Sequence, residues 1–370
     1  LISTSKSSRS LTWFRDVVNA RFEYEFRAHA RAMTVLIAPD KFRGTATSRE
    51  IVETVAERCH ERGVPTDAQV MSDGGEGFRA AFPGAAQSFR VSDPWGRPIL
   101  VEVTTFVSSL GHLGVFEMAE VIGRQIIVHP TGEQALHASS AGVGELIRKA
   151  QSLELDGLLI GCGGTASSDG GAGCYDVLRS EELSIPITVA TDVTTTFSGA
   201  VSFAEQKGVR HEDLELVAKR LTELRALYQR ERGIDVESLD RAGAGGGVPG
   251  ALAALGAQLV SGFDAVASNV HLLERLKKAQ LVVTGEGRFD HGSLEGKVVS
   301  GVVQLTGSST PVLVICGAVD EEAKEMFLHN RTNVQVVSLE DRFGTLVAHE
   351  QTARCVADIV DATLSELGID

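Results

Sequence analysis

Gly161-Cys162-Gly163-Gly164-Thr165-Ala166-Ser167-Ser168-Asp169-Gly170-Gly171-Ala172-Gly173 is the stretch on which the fold turns. It follows Asp156-Gly157-Leu158-Leu159-Ile160, a short apolar run that predicts a buried strand. Glycine admits positive φ and lets a ligand approach main-chain N–H groups. Thr165, Ser167 and Ser168 add hydroxyl donors without bulk. A helix can start at Ala172, and its free N–H groups favour an anion. Strand, Gly/Ser loop and helix in that order build a phosphate cradle. They equally build a tight strand-to-helix connection with no ligand, so the rest of the chain has to decide.

Upstream, Met33–Ala38 predicts a strand closed by Pro39-Asp40-Lys41-Phe42-Arg43-Gly44. The helix 49–61 follows, with Ile51, Val52 and Val55 on one face. A second strand, 68–71, leads into Ser72-Asp73-Gly74-Gly75-Glu76-Gly77 and then a predicted helix. This β-loop-α repetition implies parallel strands. Between about 87 and 128 the pattern changes to alternation around Asp93-Pro94-Trp95-Gly96, which predicts antiparallel or mixed strands of a second domain. Downstream come a β-branched strand, 184–191, ending at Asp192, and a charged amphipathic helix, 210–231. The strand Leu281-Val282-Val283 runs into Thr284-Gly285-Glu286-Gly287-Arg288-Phe289-Asp290. Two more β runs and a terminal helix, 351–366, complete the pattern.

At 370 residues two domains are expected. The net charge of −14 argues against nucleic acid as a partner. No apolar run reaches the length of a membrane span. The five cysteines show no metal-ligand spacing, as expected of free thiols in the cytoplasm. Residues 1–32 carry six basic residues against three acids and are rich in Ser and Arg. The chain begins with Leu, and Met33 directly precedes the first strand. The simplest account is an extension upstream of the natural start, outside the core; a targeting peptide is the second.

Five loops at the ends of apolar strands pair glycine with acids: Asp40, Asp73 with Glu76, Asp169, Asp192, and Glu286 with Asp290. That edge of an open α/β sheet is where ligands bind. Several carboxylates among phosphate-sized cradles suit Mg2+, which takes one or two carboxylates plus phosphate oxygens. Asp73 and Glu286 are the expected metal-directed pair. Lys41, Arg43, Lys207, Arg288 and Lys297 lie in or beside the same loops and can offset phosphate charge. Neither a P-loop, a dinucleotide fingerprint nor a protein-kinase signature occurs.

The set Ala38-Pro39-Asp40-Lys41-Phe42-Arg43-Gly44, Asp73-Gly74-Gly75-Glu76-Gly77, 163–173, Ala190-Thr191-Asp192-Val193, Glu205-Gln206-Lys207-Gly208, 285–290 and Ser293-Leu294-Glu295-Gly296-Lys297 resembles, in order, the signatures of the bacterial glycerate kinase family. The resemblance implies ATP- and Mg2+-dependent phosphorylation of D-glycerate, most often to 2-phosphoglycerate, by a cytoplasmic monomer or homodimer. It also implies an α/β fold: a Rossmann-like parallel-sheet domain from both chain ends (33–87 with 275–370), a second inserted α/β domain (88–274), and an active site in the cleft between them.

With it go the expected roles. Asp192, Lys41 and Arg43 are catalytic. Gly163, Gly164, Thr165, Ser167, Ser168, Gly170, Gly171, Gly285 and Gly287 bind phosphate or nucleotide. Asp40, Gly74, Gly75, Arg288 and Lys297 bind substrate. Three features depart from the family: Arg43 stands where Lys is usual, Thr194-Thr195-Thr196-Phe197 follows Asp192-Val193, and the segment Cys174 to Pro186 is short. They motivate the alternative of a non-catalytic relative that binds glycerate or nucleotide as a sensor. Retention of every loop acid weighs against it.

Overall fold

The computed structural model describes residues 33–294 and 296–369. The segment 1–32, expected to lie outside the core, falls outside the described residues. The chain divides into two compact units. The first joins the segment ending at Ser72 to the segment beginning at His271, and the second runs Asp73–Val270. The sequence pattern assigns residues 73–87 to the first unit and 271–274 to the second; in the structure 73–87 belong to the second unit and 271–274 to the first.

The first unit is built on a five-stranded sheet of order β11-β10-β9-β1-β2, parallel throughout. Its strands are β1 (Val35–Ile37), β2 (Thr66–Ala68), β9 (Leu281–Phe289), β10 (Val312–Val319) and β11 (Val334–Ser338). Helices α1 (Ser48–Glu61), α7 (Val298–Leu305) and α8 (Thr352–Glu366) are its main helices. Val35, Ile37, Val283, Leu313 and Ile315 share one core with Ile51, Val55, Val356, Ile359 and Val360. Thr47 caps α1 in a reciprocal box with Glu50, so the helix begins where its side-chain chemistry says it should. In order of occurrence within the unit the strands run 2-1-3-4-5, and the direction of winding reverses between β1 and β9. In doubly wound sheets that reversal opens a ligand crevice at the strand carboxyl ends.

The second unit holds a six-stranded mixed sheet of order β3-β4-β5-β6-β7-β8. β3 (Ala85–Ser92), β4 (Pro98–Ser108) and β5 (Gly111–Glu117) are antiparallel neighbours. β6 (Gly157–Cys162), β7 (Ile187–Thr191) and β8 (Gln258–Ser261) continue the sheet in parallel with β5. Its main helices are α2 (Ala141–Ala150), α3 (Ala172–Leu178), α4 (Leu214–Arg232), α5 (Val248–Ala254) and α6 (Gly262–Asn269). β6 is buried along its whole length, as its unbroken apolar run predicts.

Two local expectations are corrected. The helix predicted after Gly77 is only a three-residue 3-10 turn, Arg79–Ala81. Glu117, at the end of β5, accepts from the N–H groups of Gly77 and Arg79, and Pro83 then prevents continuation. Glu286 does not lie in a loop. β9 runs on to Phe289 because β10 pairs with it as far as Val319, with Cys316 opposite Glu286.

Candidate active site

In the second unit, the carboxyl ends of β5 to β8 form one edge, and the segment Asp73–Gly77 is laid along it. The positions a β-carbon would take show how closely. At Gly163 it would stand 2.6 Å from the Gly75 Cα, and at Gly74 3.0 Å from the Ala190 carbonyl and the Gly262 Cα. At Gly262 it would stand 1.9 Å from Asp73 main chain. Gly74 also has φ +98°, open only to glycine without strain. Glycine is therefore required here for backbone-to-backbone contact between loops. Asp73 accepts from the Gly75 N–H at 3.1 Å and is half-buried.

The loop after β6 divides in two. Its second half is structural. Asp169 is buried; Oδ2 accepts from Ser140 N and Oγ, both at 2.8 Å, and from Gly173 N at 3.1 Å. Oδ1 accepts from Gly171 N at 3.0 Å. This carboxylate caps α3 and ties it to the start of α2. Gly170 donates to Gly246 O and accepts from Tyr228 Oη, and a β-carbon on it would strike Leu224 at 2.5 Å. On Gly171 it would strike Ala251 at 2.4 Å. Both glycines, expected to bind phosphate, serve helix packing. The first half has another character. Gly164 is exposed, with only the Ala119 Cβ at 3.5 Å from its missing side chain. Ser167 and Ser168 are buried, and neither hydroxyl has a hydrogen-bond partner among the described residues. An orphaned buried hydroxyl costs about 1–3 kcal/mol, which a ligand oxygen would recover. Asp192 follows the last residue of β7 and is half-buried.

In the first unit the corresponding edge is the β1/β9 reversal. Asp40 is buried; its N–H donates to Gly285 O, and Gly287 N–H donates to Lys41 O. A β-carbon on Gly287 would lie 2.7 Å from Arg43 N, and one on Gly285 1.9 Å from Ile315 O. These two glycines, expected to touch phosphate, instead let β9 approach the 40–44 loop and β10. Lys41 Nζ stands 4.0 Å from Asp40 Oδ1. Arg43 and Arg288 are exposed, and Arg288 is 3.8 Å from Asp290.

Glu286 is 8% exposed, and its Oε1 has no partner among the described residues. Burial pushes its carboxyl up to about 8. The Ser293 hydroxyl and the Lys297 charge oppose the rise, and the charges of Asp40 and Asp290 add to it. The unfolded carboxyl ionises near 4.5, so between pH 4.5 and 8 the folded state keeps a proton that the unfolded state has lost. Stability is therefore full below that window and falls as pH rises through it. Glu286→Gln, neutral throughout, is expected to match wild type in Tm near pH 4.5 and to exceed it by a margin that grows up to pH 8. Melting curves whose gap stays constant with pH would refute this.

The sequence singled out most of these residues but not Ser140, Gly246 or Gly262. Nothing marks Ser140 beyond a Ser-Ser pair before a helix. Gly262 had a visible signal, a glycine directly after the strand β8.

Two α/β units, each gathering acids, glycines and cations at its strand carboxyl ends, place the chain in the class of ligand-binding α/β proteins. Comparison with known proteins narrows it: the model of the glycerate kinase family matches residues 35–184 and 175–364. A glycerate kinase of Haemophilus influenzae is 30% identical over 338 positions, covering 80% of this chain and 89% of that protein. The glycerate 2-kinase of Escherichia coli is 30% identical over 358 positions, covering 85% and 92%. A crystal structure from Salmonella typhimurium LT2, provisionally named glycerate kinase 2, is similar with a TM-score of 0.72 and 29% identity over 90% of this chain and 98% of that one. The chain belongs to the glycerate kinase family and is a kinase by that membership. The two matched stretches overlap at 175–184, which covers the second half of α3 and most of the short connection to β7.

Proposed function

We propose that the chain transfers the γ-phosphoryl group of ATP to a hydroxyl of D-glycerate, giving 2-phosphoglycerate and ADP. The observation that carries this reading is the pair of buried, unpartnered hydroxyls in a loop whose order of residues is that of the family. In the transfer, the substrate oxygen forms a bond to phosphorus as the bond from phosphorus to the β,γ-bridging oxygen breaks. Asp192 accepts the proton that the substrate hydroxyl loses, late in the step. Gly163, Gly164, Thr165, Ser167 and Ser168 hold phosphate oxygens. Lys41 and Arg43 offset the charge that develops on the transferred group. Asp40, Gly74, Gly75, Arg288 and Lys297 are assigned to glycerate.

Mg2+ would supply charge neutralisation on the phosphates. Among the described residues no group of three or more His, Cys, Asp or Glu is arranged to hold a metal. Mg2+ in phosphoryl transfer needs only one or two carboxylates. The buried, unpartnered Oε1 of Glu286 fits such a ligand, since a cation would favour its ionised form. Asp73 is the second candidate.

D-glycerate-dependent release of ADP, with the product identified by phosphorus NMR, tests the reaction. ADP release indifferent to D-glycerate would sink it, and a 3-phospho product would correct the regiochemistry. An acidic chain cannot hold a triphosphate without cations. Activity is therefore expected to vanish in EDTA and return with excess Mg2+ or Mn2+; full turnover in chelator would remove the metal from the scheme.

A further inference from the structure

Lys207 ends a 3-10 turn, Glu205–Lys207, and is 7% exposed. Its ammonium donates to Ser167 O at 2.7 Å and Thr165 Oγ1 at 3.2 Å. An ammonium has three donors, so one N–H has no acceptor among the described residues. No carboxylate pairs with it there either. Gly246 is shaped to admit it: φ is +78°, and a β-carbon there would stand 2.9 Å from Nζ and 2.1 Å from Ser167 O. The carbonyl that Lys207 holds belongs to Ser167, whose own hydroxyl, like that of Ser168, is buried and unpartnered. A buried cation without a counter-ion beside buried donors without acceptors is costly unless an anion completes the set.

We infer that Lys207 is the charge-bearing member of an oxyanion site completed by the hydroxyls of Ser167 and Ser168. The inference rests on the proposed function and deepens it. The ligand group is an oxyanion, either a phosphate of the nucleotide or the carboxylate of the hydroxy acid. Burial lowers the Lys207 ammonium to about 8, with Arg124 acting in the same direction and Cys162 and Asp169 opposing. Burial also pushes the Cys162 thiol well up, with the Asp192 charge adding, so Cys162 stays protonated in the working range and Asp169 is the charged group that opposes. The site thus holds a cation up to about pH 8 and loses it above. An anion favours the charged form, so binding above pH 8 must draw a proton onto Lys207.

The test is calorimetry on the full chain with ADP and with D-glycerate, from pH 7.5 to 9.5, where neither ligand changes charge appreciably. For the ligand whose oxyanion sits here, Kd is expected to rise about twentyfold across that range, following the loss of the ammonium proton. At pH 8.5, titrations in buffers of different ionisation enthalpy are expected to show proton uptake with that ligand. In Lys207→Met the uptake disappears and affinity drops at least about tenfold at pH 7.5. Ser167→Ala and Ser168→Ala weaken the same ligand while keeping the uptake. Whichever ligand shows the effect is the one bound here. Glu286 titrates near the same pH, so Glu286→Gln is run alongside and must retain the uptake. Wild-type binding of both ligands without uptake or pH dependence overturns the assignment of Lys207 and leaves the kinase reading standing, even if Lys207→Met does not fold. Binding of neither ligand overturns both.

Discussion

Asp192→Asn is expected to lower kcat by about 10²–10⁴ while Tm and nucleotide affinity stay near wild type. β7 is held on both sides, by β6 and by β8, up to Thr191. The main chain that presents Asp192 is therefore fixed, and the Thr191 hydroxyl secures the turn beyond it by donating to Val193 O at 3.1 Å. Asparagine preserves the shape and the capping capacity of this side chain and removes its ability to take a proton. A residue that only caps the turn would tolerate the change. A folded Asn variant with near-normal kcat would therefore end the general-base assignment. The search would then move to Asp40 rather than Asp169, because Asp169 already accepts four hydrogen bonds in the framework.

Gly170→Val is expected to destabilise the second unit by about 3–5 kcal/mol, roughly 10 °C in Tm, before any effect on nucleotide can be read. Two costs add. Valine at φ +68° is strained. Its β-carbon would also enter the space of Leu224 at 2.5 Å and Leu221 at 3.1 Å on α4. The sequence alone places Gly170 at a phosphate, which would leave the fold intact and raise the KM for ATP. Thermal melting separates the two outcomes: a variant with wild-type Tm and a raised KM would restore Gly170 to the cradle. Gly164 is the better probe of the cradle: at φ +63° a side chain there is strained too, but its β-carbon would meet only the Ala119 Cβ, at an ordinary 3.5 Å, on the exposed part of the loop.

The two predictions mark where the sequence stops being sufficient. Periodicity and glycine-acid punctuation are local properties, and they carry the α/β class, the run of parallel strands and the loops that matter. The buried run 157–162 could be little else than a central strand, and the helix at 49–61 is legible from its one apolar face, while the Thr47–Glu50 box that starts it emerges in the structure. What a loop residue faces is not local. Asp169 and Asp192 both follow strands that end at one edge, yet only the partner brought by α2, Ser140, turns Asp169 into a structural cap. Gly163, Gly164, Gly170 and Gly171 look alike in a glycine-rich run. α4 and α5, dozens of residues downstream, claim the last two for packing, whereas the atoms nearest Gly163 and Gly164 belong to Gly75 and Ala119. Lys207 is legible in the sequence only as one of several cations near the loops; Gly246 opens the buried place that its ammonium takes. Short-range chemistry wrote the elements and their order; distant side chains, meeting only after packing, decided which polar groups stayed unpaired and so which could serve a ligand.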